Sequence, residues 1–200
     1  AELGILDADS LSQPRDIAEG LYRSDFVVNI VDDGTLFSES ARTRINLGRV
    51  AERFYQHFAD DYDFLIIRSS LDIHKREQLH GSYFVVRNAV SGIGRNEPTI
   101  HCCDGTARLK GLLFLNFRLV GPVVHELAHQ WANYLGLFDG SRAKGHWYFS
   151  DVDGVLGGDA TSITPTSDGH FAFSGNPAGH SWGGLYSDLE LYLMGLLPAS

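Results

Sequence analysis

The chain has 200 residues, with 16 Lys and Arg against 25 Asp and Glu, for a formal net charge of −9. That sign argues against a nucleic-acid partner, because nucleic-acid binders concentrate positive charge. Apolar residues at 44% and charged residues at 20% match an ordinary globular protein, and strongly apolar runs such as Leu112 to Leu115 are far short of the roughly 20 residues a bilayer span needs.

No basic segment followed by an apolar core opens the chain, so no signal peptide is expected within it. The only cysteines, Cys102 and Cys103, are adjacent. Neighbouring cysteines bridge each other only with strain, which excludes a disulfide scaffold. Two counts stand out: nine His, and a single Met, Met194.

Residues 1–24 are polar and mixed and read as an N-terminal arm. Residues 25–200 read as one domain, with a sheet and helices over 25–135 and a loop-rich part over 136–200. Phe26 to Val31 is β-branched, ends at Asp32-Asp33-Gly34, and predicts a strand. Ser38 to Phe58 carries Ile45, Val50, Phe54 and Phe58 near helical spacing and predicts a helix. Further strands are predicted at Phe64 to Ile67, Tyr83 to Val86 and within Leu109 to Phe117, with strand character also near Thr99 to Cys102. Gly121-Pro122 then opens a helix, since Pro is tolerated in the first turn. Its apolar stripe is Val124, Leu127, Trp131 and Leu135, and Gly136 stands where a left-handed cap would end it. Residues 136–184 hold 11 of the 22 glycines and seven aromatics, the composition of a long functional loop. Leu185 to Leu197 predicts a closing helix, apolar on nearly every side and hence buried. The order suits an α+β or α/β fold: a mixed twisted sheet, a backing helix, a core helix across the sheet, a Gly-rich loop region and a buried C-terminal helix.

The chemistry is concentrated in His125-Glu126-Leu127-Ala128-His129. Residues four apart on a helix share a face, so both imidazoles can reach one metal ion without backbone strain. Glu126 lies about 100° around the helix from His125, where its carboxylate can reach a water beside the metal rather than the metal itself. A zinc ion lowers the pKa of water and polarises a carbonyl. Glu126 is then placed as the general base that takes the water's proton and passes it to a leaving amine. This is the HExxH pattern of zinc metallopeptidases.

On these residues the chain resembles the zincin-like metallopeptidases, in which a helix bearing HExxH crosses a mixed sheet. The resemblance spans roughly Asp25 to Leu197. Gly145-His146-Trp147, Gly154-Val155-Leu156-Gly157-Gly158 and the segment from Tyr186 to Leu196 are similar to segments of a little-characterised group of bacterial, often secreted, metallopeptidases. It implies one catalytic zinc ion, a peptide or protein substrate laid along the sheet edge, and a secreted or periplasmic location.

A catalytic zinc needs three protein ligands and an open position. The metzincin pattern HExxHxxGxxH fails here, with Ala132 at the Gly position and Leu135 at the final His position. Thermolysin-like patterns take a Glu downstream of the second His, and no Glu occurs between Glu126 and Glu190. The first candidate for third ligand is His146, after a loop containing Gly136, Gly140 and Gly145. The second is Glu190, whose apolar neighbours Leu189, Leu191 and Leu193 imply a buried carboxylate that is metal-bound, paired, or orienting a His ligand. Asp139, Asp151, His170 and His180 follow. Met194 reads either as a Met under the metal or as core filler. Asp151-Val152-Asp153-Gly154 hints weakly at calcium but lacks the closing Glu of an EF-hand loop. His170, His180, Tyr148 and Tyr192 are candidate oxyanion donors. Two rival functions remain open: a zincin-like binding module without activity, and a non-peptidase zinc amidase using Cys102 or Cys103 as ligand.

Overall fold

The computed structural model describes residues 15–24, 27–38, 43, 45–69, 81–87, 100–116, 123–132, 145–147, 150, 152–158, 163–173 and 184–199. The chain divides into two compact units, Ala1–Asp60 with Cys102–Asp104, and Asp61–His101 with Gly105–Ser200. Part of the expected N-terminal arm carries two strands, β1 (Arg15–Ala18) and β2 (Leu21–Arg23). With β3 (Val28–Ile30) they form an antiparallel sheet in the order β1-β2-β3. Gly20 turns the chain between β1 and β2 at φ +66, a backbone that glycine adopts without steric cost.

The first helix, α1, spans Leu47–Tyr55, shorter than the Ser38–Phe58 expected. Asn46 caps it, its side chain accepting from the Arg49 N–H at 3.2 Å. That contact satisfies an N–H with no partner inside the helix, so it marks a start. Ahead of it, Phe37 pairs with Ile45 as an antiparallel bridge. On α1, Arg53 donates to the carbonyls of Glu19 and Val31 and to the Asp33 carboxylate. It thereby ties the turns of the first sheet to the helix.

The second unit holds β4 (Phe64–Arg68), β5 (Gly81–Val85) and β6 (Gly111–Leu115) in the order β4-β6-β5. β6 pairs parallel with β4, Phe64 opposite Gly111, and antiparallel with β5, Val85 opposite Gly111. Every residue of β6 is buried, as its unbroken apolar run requires of a strand covered on both faces. Asp63, just before β4, is bridged by Arg108 and Lys110, just before β6. The Lys110 and Arg108 contacts hold its carboxyl below the usual carboxylate range. Near Thr99–Cys102 no strand forms among the described residues, although the Ile100 N–H donates to the Val85 carbonyl at 3.2 Å.

The helix carrying HExxH, α2, spans Val123–Ala132. It packs against β5 and β6 and against α3 (Asp188–Leu193). The expected core stripe of Val124, Leu127 and Trp131 is only half-buried, whereas Glu126, Ala128, His129, Gln130 and Ala132 are buried. The helix is covered on more than one side. Residues two apart lie about 200° apart around its axis. Glu126 and Gln130 therefore face β5, while Ala128 and Ala132 join Trp147, Val155, Leu156 and Leu193 in an apolar cluster.

Inside the long loop lies a hairpin, β7 (Ile163–Pro165) with β8 (Phe171–Phe173). Thr166–Gly169 forms its turn, closed by the Gly169 N–H on the Thr166 carbonyl, with Gly169 at φ +82. The closing helix differs from expectation in length and burial. α3 has six residues, and only Glu190 and Leu193 are buried in it. Leu185, Tyr192 and Leu196 are exposed. Ser187 caps its start, and Gly195 at φ +75 follows its end. Overall the chain is a mixed α and β protein, and no helix among the described residues is long and apolar enough to cross a membrane.

Tyr83 on β5 lies across Gly111 of the neighbouring strand and donates its hydroxyl hydrogen bond to Gln130 on α2. A Cβ on Gly111 would overlap that hydroxyl. Gly111→Ala is expected to lower stability by about 1–3 kcal/mol, the range for overpacking a filled site. Urea unfolding measures it, and an unchanged midpoint would refute the tight fit.

Candidate metal centre

α2 places His125 and His129 one turn apart on the same face. His146 comes from the loop that follows the helix, after Gly145 at φ +80. The structure brings the three together: one ring nitrogen from each lies within 4.8 Å of the others. His125 Nε2 and His146 Nε2 are 3.2 Å apart. Ring centroids are 5.1, 5.1 and 5.0 Å apart, and His129 stands nearly perpendicular to both partners. Edges converge and no two rings stack. Zinc–nitrogen bonds of roughly 2.0–2.1 Å in a tetrahedron put ligand nitrogens about 3.3 Å apart, close to the separation seen between His125 and His146.

The outer contacts also suit ligation. His125 donates its Nδ1–H to the Val155 carbonyl at 2.8 Å. That bond fixes the tautomer and leaves the Nε2 lone pair facing inward. The chemistry of the set, three imidazoles and no carboxylate, fits a borderline-soft divalent ion such as zinc better than calcium. Among the described residues this is the one gathered group of His, Cys, Asp or Glu able to hold a metal.

Glu190, the second candidate for third ligand, is 1% exposed and is occupied elsewhere. Its Oε1 accepts from Trp147 Nε1 at 2.7 Å and from the Leu156 N–H at 3.0 Å. Its Oε2 accepts from the Val155 N–H at 3.1 Å and from the Ser187 N–H at 2.9 Å. Two donors on each oxygen saturate the carboxylate, so it serves as an anchor rather than a ligand. The Val155 and Leu156 donors sit at the tip of a tight turn closed by hydrogen bonds between Gly154 and Gly157. Gly154 has no room for a side chain, because a Cβ there would overlap the Glu190 carboxyl. Nearby, the Tyr186 hydroxyl donates to the Val124 carbonyl at 3.0 Å. Burial, and then the charge of Glu190, push that phenol's pKa up.

Glu126 is 6% exposed. Its carboxylate lies against the first residue of β5, where a Cβ on Gly81 would come within 2.6 Å of Oε1. Glu126 thus sits between the His125–His129 pair on α2 and the start of a strand on the edge of the described sheet.

Other sequence candidates fall elsewhere. Asp139, Asp151, Tyr148 and His180 lie outside the described residues. His170 is exposed on the β7–β8 hairpin, where its backbone bonds Thr166 and Asp168. Tyr192 is 48% exposed. Met194 caps the end of α3 and packs against the apolar cluster under α2. Cys102 and Cys103 form no disulfide; the Cys103 thiol donates to Cys102 Sγ at 2.7 Å, and neither joins the gathered group. The hydrogen bond from Cys103 holds the Cys102 thiol's pKa down. Arg108 and Lys110 are committed to Asp63. Sequence reading missed the Val155 carbonyl, which no side-chain pattern marks. It also missed the capping box at Ser187 and Glu190, although Ser-x-x-Glu is its signature.

No protein-family model, no curated protein and no solved structure matches the chain.

His146→Ala removes one of the three gathered imidazoles. Its zinc affinity, titrated against a competing chelator, is expected to fall by more than the roughly 100-fold ceiling typical of outer-contact changes. Wild-type affinity in this variant would place the ion elsewhere.

Proposed function

We propose that the chain is a zinc-dependent peptidase of zincin-like fold that hydrolyses internal peptide bonds, with Glu126 as general base. The observation that carries this reading is the convergence of His125, His129 and His146 on one point, with Glu126 next to His125 on α2. His125, His129 and His146 would hold the ion through ring nitrogens. Zinc, when bound, supplies Lewis acidity that lowers the pKa of water and polarises the scissile carbonyl.

The remaining work falls to the chain. Glu126 accepts the proton of the attacking water at a carboxylate oxygen as the water oxygen bonds to the carbonyl carbon. It then delivers that proton to the amide nitrogen as the C–N bond breaks, so the base ends as it began. Its burial against Gly81 limits how far the carboxylate can swing. β5 is an edge strand of the described sheet. A substrate in extended form can add to such an edge through main-chain hydrogen bonds, which would bring it alongside the base. The net charge of −9 is compatible with a peptide substrate and unfavourable to nucleic acid.

Glu126→Gln keeps the side chain's shape and loses the proton acceptor. It is expected to bind zinc like wild type and to cleave casein about 100- to 10,000-fold more slowly, the usual contribution of a general base. Wild-type cleavage is expected to stop with a chelator and return with zinc; cleavage that ignores the chelator would refute the reading. Gly81→Ala displaces the Glu126 carboxylate without touching the histidines. Its kcat on casein is expected to fall with zinc affinity unchanged, and an unchanged kcat would show that Gly81 does not position the base.

A further inference from the structure

The geometry points to Glu190 as a positioning residue for the metal centre: one buried carboxylate sets two of the three histidines from behind. The inference rests on the three-histidine reading above. Trp147, which donates to Oε1, directly follows His146 in the chain. Val155, whose N–H donates to Oε2, offers its carbonyl to His125 Nδ1. The carboxylate is therefore one residue away from the first ligand and one residue's backbone away from the second. The backbone N–H of Trp147 donates to the Leu156 carbonyl at 3.0 Å. Trp147, the residue after His146, and the Val155 turn are thus joined both directly and through the carboxylate.

All four partners of Glu190 are donors. The position needs a group that accepts on both oxygens and donates on neither, which among side chains only an ionised Asp or Glu supplies. A glutamine of the same shape would turn its NH₂ toward at least one N–H. The carboxyl has no room to retreat, because it rests on Gly154. Glu190 is also the third residue of α3 and completes the capping box that starts it, with its N–H on Ser187 Oγ at 3.3 Å. A six-residue helix does not hold itself together in water. The start of α3 and the aim of two metal ligands thus depend on the same group, and a bound metal should in turn stabilise the arrangement.

Cobalt(II) tests this directly, because its visible absorption bands report ligand geometry. The whole chain, as wild type and as Glu190→Gln, is titrated with cobalt and then with zinc against a chelator. Glu190→Gln is expected to bind about 10- to 100-fold more weakly, the range for outer contacts of ligating histidines, with shifted cobalt bands. Leu109→Ala, which truncates a fully buried side chain ahead of β6 that is not part of the apolar cluster holding Trp147 and Val155, is expected to melt earlier with unchanged bands. That separates aim from general stability. If Glu190→Gln does not fold, Trp147→Phe decides, since it deletes one of the four donors and keeps a ring; a smaller loss of affinity with shifted bands is expected. Wild-type affinity and bands in whichever variant folds would overturn the role of Glu190 alone. A wild-type chain that takes up no cobalt would instead overturn the three-histidine reading on which it rests.

Discussion

A carboxylate buried to 1% exposure in an apolar cluster is the constraint on which this unit depends. Charge removed from water costs several kcal/mol unless hydrogen bonds replace the lost hydration. Here the replacement is four N–H groups drawn from a side chain, a turn tip and a helix start. Meeting that demand holds α3, the Gly154–Gly157 turn and Trp147 in register. The Val155 carbonyl is then aimed at His125, and His146 is held next to its anchored neighbour.

α2 divides its surface three ways. Glu126 and Gln130 meet β5, Ala128 and Ala132 meet the turn and α3, and His125 and His129 occupy a third side. Small residues on the second side let the turn come close enough for its carbonyl to reach the imidazole. Three glycines play matching parts. Gly81 lies under Glu126, Gly111 under Tyr83 and Gly154 under Glu190. In each case a missing Cβ leaves a socket for a polar side chain that crosses from another element, a close approach that no other residue type permits.

Much of this was legible in the sequence, and for physical reasons. HExxH is a local pattern whose geometry follows from 3.6 residues per turn, and the strands at Phe64, Tyr83 and Leu112 were marked by β-branched, aromatic and leucine runs. Grouping His146 with His125 and His129 followed from ligand type. The departures came where tertiary packing overrides local signal. The apolar stripe of α2 suggested one core face, yet the helix is covered on several sides. The apolar run from Leu185 to Leu197 suggested a long buried helix, but the Ser187 cap and Gly195 confine it to six residues. The strands at Arg15–Arg23 lay in a segment whose polarity concealed them, since both are mostly exposed. The anchoring role of Glu190 depends on donors 34 to 43 residues away, beyond the reach of any local pattern.

The contact between His125 and Val155 runs through a peptide carbonyl. Any side chain at position 155 presents the same oxygen, so the chemical identity that matters there is invisible in the residue's name. What is written into the sequence instead is the means of bending the chain: glycines at 154, 157 and 158, the last two at φ +105 and +83. The instruction for orienting His125 is therefore carried largely by residues with no side chain at all. Among chains descended from a common ancestor, substitution at 155 should run free within the limits of packing, while the glycines around it stay still.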